Sequence, residues 1–250
     1  MTFARRFDGI AAIITGGAGG IGSAIAKRLA QEGAMVLLTD MDGEKVQMVA
    51  AEINASSPEL VIGQQCDVRI EDHVARCFGT ALERFARVDV VVNNAGIMTF
   101  NSIAKWSSKE WLDVLQVDLL GAALFTKFAL QNVGDEGGAI VNVASIHALM
   151  TTALAAPYAA AKAGRVSLTR STAIEGKSHG VRANAVLPGA IDTRMLWSNP
   201  NVQSGREKID KADVGTADDI AAAVAFLASA EARFINGTSL VVDGGRLAAL

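Results

Sequence analysis

The chain has 250 residues, enough for one substantial core, and half of its residues are apolar. Charged residues make up 20% and the formal net charge is −3, so nothing in the charge balance favours nucleic acid or an anionic membrane as a partner. No apolar run approaches the ~20 residues of a membrane span, and residues 1–8 lack the apolar core of a signal peptide. We therefore expect a single globular domain over residues 1–250, located in the cytoplasm.

Short apolar runs alternate with longer amphipathic runs along the whole chain. The runs that predict strands are Ile10–Thr15, Met35–Asp40, Leu60–Cys66, Val88–Asn93, Ala139–Ala144, Val181–Leu187 and Ser239–Asp243. Helices are predicted near residues 20–32, 43–55, 70–86, 107–132, 157–178 and 216–229. Strands that are apolar throughout and separated by helices favour a parallel sheet covered on both faces. The prediction is a three-layer, doubly wound α/β domain with a ligand crevice at the carboxyl ends of its strands.

The first predicted strand leads into a glycine-rich turn and then a helix. The turn reads Thr15-Gly16-Gly17-Ala18-Gly19-Gly20-Ile21-Gly22. Glycines let the backbone turn tightly and let a pyrophosphate approach the N–H groups at the helix N-terminus. The pattern alone is degenerate, but the strand before it and the helix after it are the context that a dinucleotide site requires. The residues predicted to bind the dinucleotide here are Thr15, Gly16, Gly20, Ile21 and Gly22.

The second predicted strand ends at Asp40, about 20 residues after the glycine-rich turn. A carboxylate at this point accepts hydrogen bonds from ribose hydroxyls and repels a 2′-phosphate. Neither Gly19 nor Met41 supplies a cation that would hold such a phosphate. The sequence therefore predicts NAD rather than NADP as the cofactor. The alternative is that Asp40 caps the following helix.

The only tyrosine of the chain, Tyr158, precedes Lys162 by four positions in an alanine-rich stretch that favours a helix. Side chains at i and i+4 share a helix face, so the phenol and the ammonium are expected to be neighbours. A fixed cation favours the phenolate, and we expect the pKa of Tyr158 to fall below its usual value of ~10, toward the range needed for proton transfer at neutral pH. The alternative is a core aromatic residue beside a lysine with a buried stem.

Several motifs together resemble those of the single-domain short-chain dehydrogenase/reductases. They are Thr15-Gly-x-x-x-Gly-x-Gly22, Asn93-Asn94-Ala95-Gly96, Ser145, Tyr158-x-x-x-Lys162, Pro188-Gly189 and Val242-Asp243-Gly244-Gly245. They span essentially the whole chain in the family's order. The resemblance implies a Rossmann-like sheet of about seven strands. It implies that Ser145 binds the substrate oxygen, Tyr158 transfers the proton, and Lys162 lowers the tyrosine's pKa and binds the nicotinamide ribose. The remaining cofactor contacts that it implies are Asp67, Val68, Asn94, Ala95, Gly96, Pro188, Gly189, Ile191 and Thr193.

One position departs from the family's pattern. Where the family usually has asparagine in a Val-Asn-Leu segment that serves the proton relay, this chain has Val117-Asp118-Leu119. An aspartate can accept the same hydrogen bonds but cannot donate as an anion, and its charge toward Lys162 would raise the pKa of that lysine. Asp118 is thus a candidate catalytic residue. Either the substitution is tolerated, or the enzyme is slowed or altered.

Residues 194–212 interrupt the regular alternation and are predicted to form an irregular lid over the site. The alternative is a mobile surface loop without function. The candidate substrate contacts, besides Ser145, are Met98, His147, Met150, Met195, Leu196 and Trp197. This set is mostly apolar and includes no arginine that could bind a carboxylate.

These observations predict an NAD-dependent enzyme that interconverts a secondary alcohol, such as a polyol, sugar or cyclic alcohol, and its ketone. The resemblance implies a homotetramer, built on the long helices 107–132 and 157–178. Cys66 and Cys77 have no metal-ligand spacing, and no metal is expected. The alternatives are a β-ketoacyl thioester reductase and a binding protein of impaired turnover that senses the NAD state.

Overall fold

The computed structural model describes residues 5–57, 61–134 and 136–249, so the predicted strand residue Leu60 lies outside the described residues. Its strands are β1 (Ala11–Thr15), β2 (Met35–Asp40), β3 (Val61–Gln65), β4 (Val90–Asn93), β5 (Gly138–Val143), β6 (Val181–Pro188) and β7 (Ser239–Val242). Its helices are α1 (Gly20–Gln31), α2 (Gly43–Asn54), α3 (Glu71–Phe85), α4 (Ser108–Leu115), α5 (Gly121–Asn132), α6 (Ala156–Glu175), α7 (Arg194–Trp197), α8 (Pro200–Gln203) and α9 (Ala217–Ala228).

The strands form one parallel sheet in the order β3-β2-β1-β4-β5-β6-β7. Buried side chains of α1, α2 and α9 form the core on one face, and those of α3, α5 and α6 form the core on the other. The prediction of a three-layer, doubly wound sheet is confirmed. The strand order reverses between β1 and β4, which leaves a crevice at the carboxyl ends of these strands.

The predicted helix 107–132 is interrupted by a π-helical turn. This turn, Gln116–Leu120, joins α4 to α5 and contains Asp118. A capping box between Ser107 and Glu110 fixes the start of α4. A π turn accommodates a wider hydrogen-bonded loop than the α-helix does, and the apolar periodicity of the sequence does not show where it lies.

The segment 194–212 is more ordered than the sequence predicts. It contains the short helices α7 and α8 and a 3₁₀ turn at Lys211–Asp213. Asn201 is buried, and its Nδ2 donates to the carbonyl of Ala153 at 2.8 Å. This bond anchors the segment to the loop that precedes α6. The segment is therefore less irregular than the sequence predicts, and its role as a lid stays a prediction.

No helix in the described part of the chain is long and apolar enough to cross a membrane. Cys66 and Cys77 are free and buried. Within residues 5–57, 61–134 and 136–249 no group of acidic, histidine or cysteine side chains is arranged to hold a metal ion.

Candidate active site

A cleft opens at the carboxyl ends of the strands, on both sides of the point where the strand order reverses. The predicted cofactor and catalytic residues that line it are Gly16, Gly20, Ile21, Gly22, Asp40, Asn94, Ala95, Gly96, Ser145, Tyr158, Lys162, Pro188, Gly189, Ile191 and Thr193. The predicted substrate contacts that line it are Met98, His147, Met195 and Leu196. Residues far apart in the chain therefore converge on one surface.

The glycine-rich turn is held against the end of β4. Gly16 has a φ of +68°, and a Cβ at this position would lie 2.9 Å from the Cα of Ala95. Thr15 does not line the cleft; its Oγ1 accepts hydrogen bonds from the N–H groups of Asn94 at 3.0 Å and Ala95 at 2.9 Å. Thr15 thus shapes the turn from behind, and the close approach without side chains suits a bound pyrophosphate.

Asp40 faces the cleft beside this turn. Its Oδ2 accepts from the N–H of Ala18 at 2.9 Å, and its Oδ1 accepts from the N–H of Asp42 at 3.1 Å. The cap of α2 is Asp42, whose carboxylate accepts from the N–H of Lys45 at 3.0 Å. The alternative that Asp40 caps this helix is therefore excluded by the structure.

The first turns of α6 carry Tyr158 and Lys162 on one face. Pro157 occupies the first turn, where its missing N–H costs no helical hydrogen bond. Both Tyr158 and Lys162 are buried, and the Lys162 Nζ lies 5.2 Å from the centroid of the phenol ring. Ser145, just after β5, lines the same part of the cleft and interacts with the phenol.

The pKa of Tyr158 is raised, not lowered. Burial is the largest cause and the charge of Asp118 adds to it, while the Ser145 hydroxyl and the charge of Arg165 act in the opposite direction. The expectation of a lowered pKa is therefore wrong for the protein without cofactor. The spacing of tyrosine and lysine shows their proximity but not the burial that disfavours the phenolate.

Asp118 is fully buried behind the cleft, between the backbone and Lys162. Its Oδ1 accepts from the N–H of Ile97 at 2.7 Å, and its Oδ2 lies 3.1 Å from the Lys162 Nζ. The pKa of Lys162 is lowered to about 8, mainly by burial and then by Arg165, and Asp118 only partly offsets this. The charge of Asp118 acts on the lysine in the expected direction, but the net shift is downward.

Arg165 is a site residue that the sequence prediction missed. It is 1% exposed, and its guanidinium donates to four carbonyls, those of Asp118 at 2.7 Å and of Asn93, Val143 and Ala95 at 2.9 Å. Its spacing of three from Lys162 and seven from Tyr158 puts it on the same helix face, which is the signal that could have found it.

His147 covers one side of the phenol. The two ring centroids lie 5.5 Å apart in an edge-to-face arrangement, and Nδ1 is 2.8 Å from the Oγ1 of Thr151. Burial, together with the charges of Arg246 and Lys162, lowers the pKa of His147 to about 4. The imidazole is thus neutral at neutral pH, and it can donate a hydrogen bond to a substrate or accept one from it.

Two predicted substrate contacts do not line the cleft. Met150 is half exposed, and the Trp197 indole N–H donates to the Asp192 carboxylate at 2.6 Å. The cleft does contain arginines, contrary to the sequence prediction. Arg194 and Arg246 both line it, and the Nη2 of Arg246 donates to the Oε1 of Glu207 at 2.8 Å.

Asp67 and Val68, predicted to contact the adenine, are not among the residues that line the cleft. Asp67 forms an ion pair with Arg69 at 2.6 Å, and this hydrogen-bonded cation lowers the pKa of the carboxyl. Val68 is buried against Gly121. Both residues follow β3 as expected, but the structure gives their side chains partners within the protein.

Comparison with known proteins agrees with this geometry. The family model described as enoyl-(acyl carrier protein) reductase matches residues 16–246. The chain is 37% identical over 247 residues to meso-2,3-butanediol dehydrogenase of Serratia marcescens, covering 97% of this chain and 96% of that protein. It is 38% identical over 240 residues to cis-4-hydroxycyclohexanecarboxylate dehydrogenase of Sinomonas cyclohexanicum, covering 94% and 95%. The crystal structure of levodione reductase matches with a TM-score of 0.91 at 35% identity, covering 98% of this chain and 100% of that one.

The fold and the relatives together define an oxidoreductase that uses a nicotinamide dinucleotide. The chain belongs to the short-chain dehydrogenase/reductase family.

Proposed function

We propose that the protein is an NAD-dependent dehydrogenase that interconverts a secondary alcohol and its ketone. The observation that carries the proposal is the convergence of Ser145, Tyr158 and Lys162 at the cleft that also contains the glycine-rich turn. A hydroxyl, a phenol and an ammonium in this arrangement can bind a carbonyl or alcohol oxygen and move its proton. Relatives along the whole chain are secondary alcohol dehydrogenases and ketone reductases.

The choice of NAD rests on Asp40. Its carboxylate is fixed by the N–H groups of Ala18 and Asp42, at the end of β2 and next to the glycine-rich turn. A fixed negative charge there favours two ribose hydroxyls over a 2′-phosphate. Its neighbour Met41 is exposed and carries no compensating positive charge.

Ser145, Tyr158 and Lys162 then have separate roles in proton transfer. In alcohol oxidation Ser145 orients the substrate oxygen, and Tyr158 as phenolate takes the hydroxyl proton. Lys162 holds the ribose of the cofactor and stabilises the phenolate. A bound oxidised nicotinamide would supply the hydride acceptor, and its positive charge would favour ionisation of the Tyr158 phenol. Ketone reduction reverses each step.

The substrate is an alcohol with a mainly apolar body and a second polar group. Met98, Met195 and Leu196 supply the apolar lining, while His147 and Arg246 supply polar contacts. Vicinal diols and substituted cyclic alcohols, the substrates in the names of two relatives, have both features.

A turnover assay tests the proposal. The purified protein is given NAD or NADP with vicinal diols, hydroxycyclohexanecarboxylates and other cyclic alcohols, and is tested in reverse with diketones and β-ketoacyl thioesters. We expect NAD-linked oxidation of at least one alcohol, abolished by Tyr158→Phe. Preference for a β-ketoacyl thioester with NADPH would contradict the proposal and indicate a biosynthetic reductase. Binding of NAD without any turnover would also contradict it and indicate a protein that senses the NAD state.

We also propose that the protein is a homotetramer built on α4, α5 and α6. Large apolar side chains are exposed on α4, on the π turn that follows it and on α6. Leu112 is 53% exposed, Leu120 44% and Ile174 77%. In a tetramer built on these helices, a neighbouring subunit would cover these side chains. Light scattering after size exclusion tests this, and a monomer at micromolar concentration would contradict it.

A further inference from the structure

A buried guanidinium lies directly behind the residues proposed to transfer the proton. Arg165 donates to the carbonyls of Asn93 and Ala95 at the end of β4, of Val143 at the end of β5, and of Asp118 in the π turn. Val143 O also lies 3.4 Å from the Lys162 Nζ. The arginine therefore fixes the relative positions of two strand ends, the π turn and the helix that carries the catalytic lysine.

The same small volume contains one carboxylate and two cations. Asp118 lies 3.1 Å from the Lys162 Nζ, and Arg165 binds the main-chain carbonyl of Asp118. With both cations and the carboxylate ionised, the cluster has a net charge of +1. That is the charge that Lys162 alone would give if the other two positions were neutral.

Asp118 and Arg165 have opposite electrostatic effects at both reactive groups. At Tyr158 the carboxylate raises the pKa and the guanidinium lowers it. At Lys162 the guanidinium lowers the pKa and the carboxylate raises it. The effects of Asp118 and Arg165 on these two pKa values therefore oppose each other.

We propose that Arg165 is a positioning residue that is matched in charge to Asp118, so that an aspartate can stand beside the catalytic lysine without altering the site's net charge. This inference rests on the proposed function, since it concerns the same proton transfer. Arg165 is not among the residues that line the cleft, and it acts from behind through its charge and through the carbonyls that it binds. The proposal explains the aspartate at position 118 by the presence of a second buried charge, that of Arg165.

In the part of the chain that the structure describes, the other charged and titratable groups that line the cleft are Asp40, His147, Arg194, Glu207 and Arg246. His147 faces Tyr158 from the turn after β5, and its lowered pKa leaves it neutral at neutral pH. Arg246, after β7, acts on His147. No hydrogen bond or ion pair of the described residues joins these groups to Asp118 or Arg165. Variants at positions 118 and 165 therefore test the matched charges directly.

The test compares the wild type with Asp118→Asn, Arg165→Met and the double variant. The readouts are the pH dependence of kcat/KM for alcohol oxidation and ultraviolet titration of the single tyrosine. In both readouts the midpoint reports the ionisation of Tyr158. We expect this midpoint to fall by about one pH unit in Asp118→Asn and to rise by about one unit in Arg165→Met. The double variant should return to within about 0.3 units of the wild type. The absolute activity of the double variant should stay below that of the wild type, because the four carbonyls lose their donor.

Two further variants separate charge from structure. Arg182→Met removes another partly buried arginine that donates to carbonyls, those of Leu227 and Ser229, and none of these three residues lines the cleft. It should lower the melting temperature without moving the midpoint. Arg165→Lys keeps the charge, so its midpoint should match the wild type even where its stability does not.

Equal midpoints in the wild type and Asp118→Asn would overturn the proposal, as would a double variant that retains the shift of either single variant. If Arg165→Met does not fold, Asp118→Asn and Arg165→Lys still decide the matter. Tyrosine titration needs no turnover, so it tests the matched charges even if no alcohol is oxidised and the proposed function fails.

Discussion

The carboxylate of Asp118 and the ammonium of Lys162 form a buried ion pair 3.1 Å long, and the absence of a side chain at residue 96 makes room for it. A Cβ at Gly96 would lie 2.8 Å from the Asp118 Oδ2 and 3.0 Å from the Lys162 Nζ. Contacts this short force one of the two side chains to move. The glycine of the Asn-Asn-Ala-Gly motif therefore leaves space for the two side chains at the proposed proton-transfer site.

Gly96→Ala should lower kcat/KM at least ten-fold, about 1.4 kcal/mol of barrier, because it displaces the lysine that serves Tyr158. The matched control is Gly79→Ala in α3, where an added Cβ meets nothing within 4 Å. The control should leave the activity unchanged and raise the stability by about 0.5–1 kcal/mol. Steady-state kinetics and urea unfolding measure both effects. Full activity in Gly96→Ala would show that the position of Lys162 tolerates displacement.

Asp40→Ala should raise the KM for NAD about ten-fold or more and reduce the preference over NADP, because it removes the carboxylate that is proposed to bind the ribose hydroxyls. Asp42→Ala is the matched control, two residues away. It removes the cap of α2, should cost about 1 kcal/mol of stability, and should leave cofactor preference unchanged. Initial rates over a range of both cofactors measure the preference. A wild type that uses the two cofactors equally would refute the role given to Asp40.

The sequence predicted the order of strands and helices because apolar periodicity and glycine-rich turns are local signals. It also named most of the residues that line the cleft, and their roles stay predictions. It missed Arg165, whose partners lie on three other elements, and it missed Arg246, which approaches the cleft only through the fold. The direction of the Tyr158 pKa was wrong because burial depends on the packing of the whole site. Asp67 follows a strand as expected, but its ion pair with Arg69 is a side-chain detail that the pattern does not encode.

The single tyrosine makes the state of the phenol directly measurable. Burial raises its pKa, so in the free protein its ultraviolet titration should occur above the usual ~10. Oxidised NAD should lower the midpoint, and the pH dependence of alcohol oxidation should follow the titration of the complex. Tyr158→Phe should lose turnover and keep NAD binding. A phenol that titrates below its usual value in the free protein would contradict the balance of burial and charge described for this site.

His147 should make folding stability depend on pH. Its folded pKa of about 4 lies below the usual value near ~6.5, so the unfolded chain binds more protons in between. Stability should therefore fall as the pH drops from about 6.5 toward 4. Because the ring is only partly buried, we expect about 1–2 kcal/mol from this residue. His147→Gln should flatten this part of the profile, which thermal unfolding over this pH range measures. An unchanged slope in His147→Gln would contradict the assignment.

The ion pair between Arg246 and Glu207 joins the segment 194–212 to the turn after β7 at the edge of the cleft. The side chains are 24% and 12% exposed, and the Glu207 Oε2 is buried without a hydrogen-bond partner in the described structure. Arg246→Met should cost about 1–3 kcal/mol, because it leaves a largely buried carboxylate unpaired.

Arg246→Met should also raise the substrate KM several-fold with little change in the KM for NAD, since Arg246 lines the cleft where the substrate's second polar group is proposed to bind. Adding Glu207→Gln should restore most of the stability but not the substrate KM, which separates the structural role of the pair from its contact with substrate. Lys109→Met is the control, because it breaks an exposed pair with Asp113 at 2.6 Å that should contribute under about 1 kcal/mol. Thermal unfolding and steady-state kinetics of the four proteins decide the outcome. Recovery of both stability and KM in the double variant would mean that Arg246 only holds the segment in place.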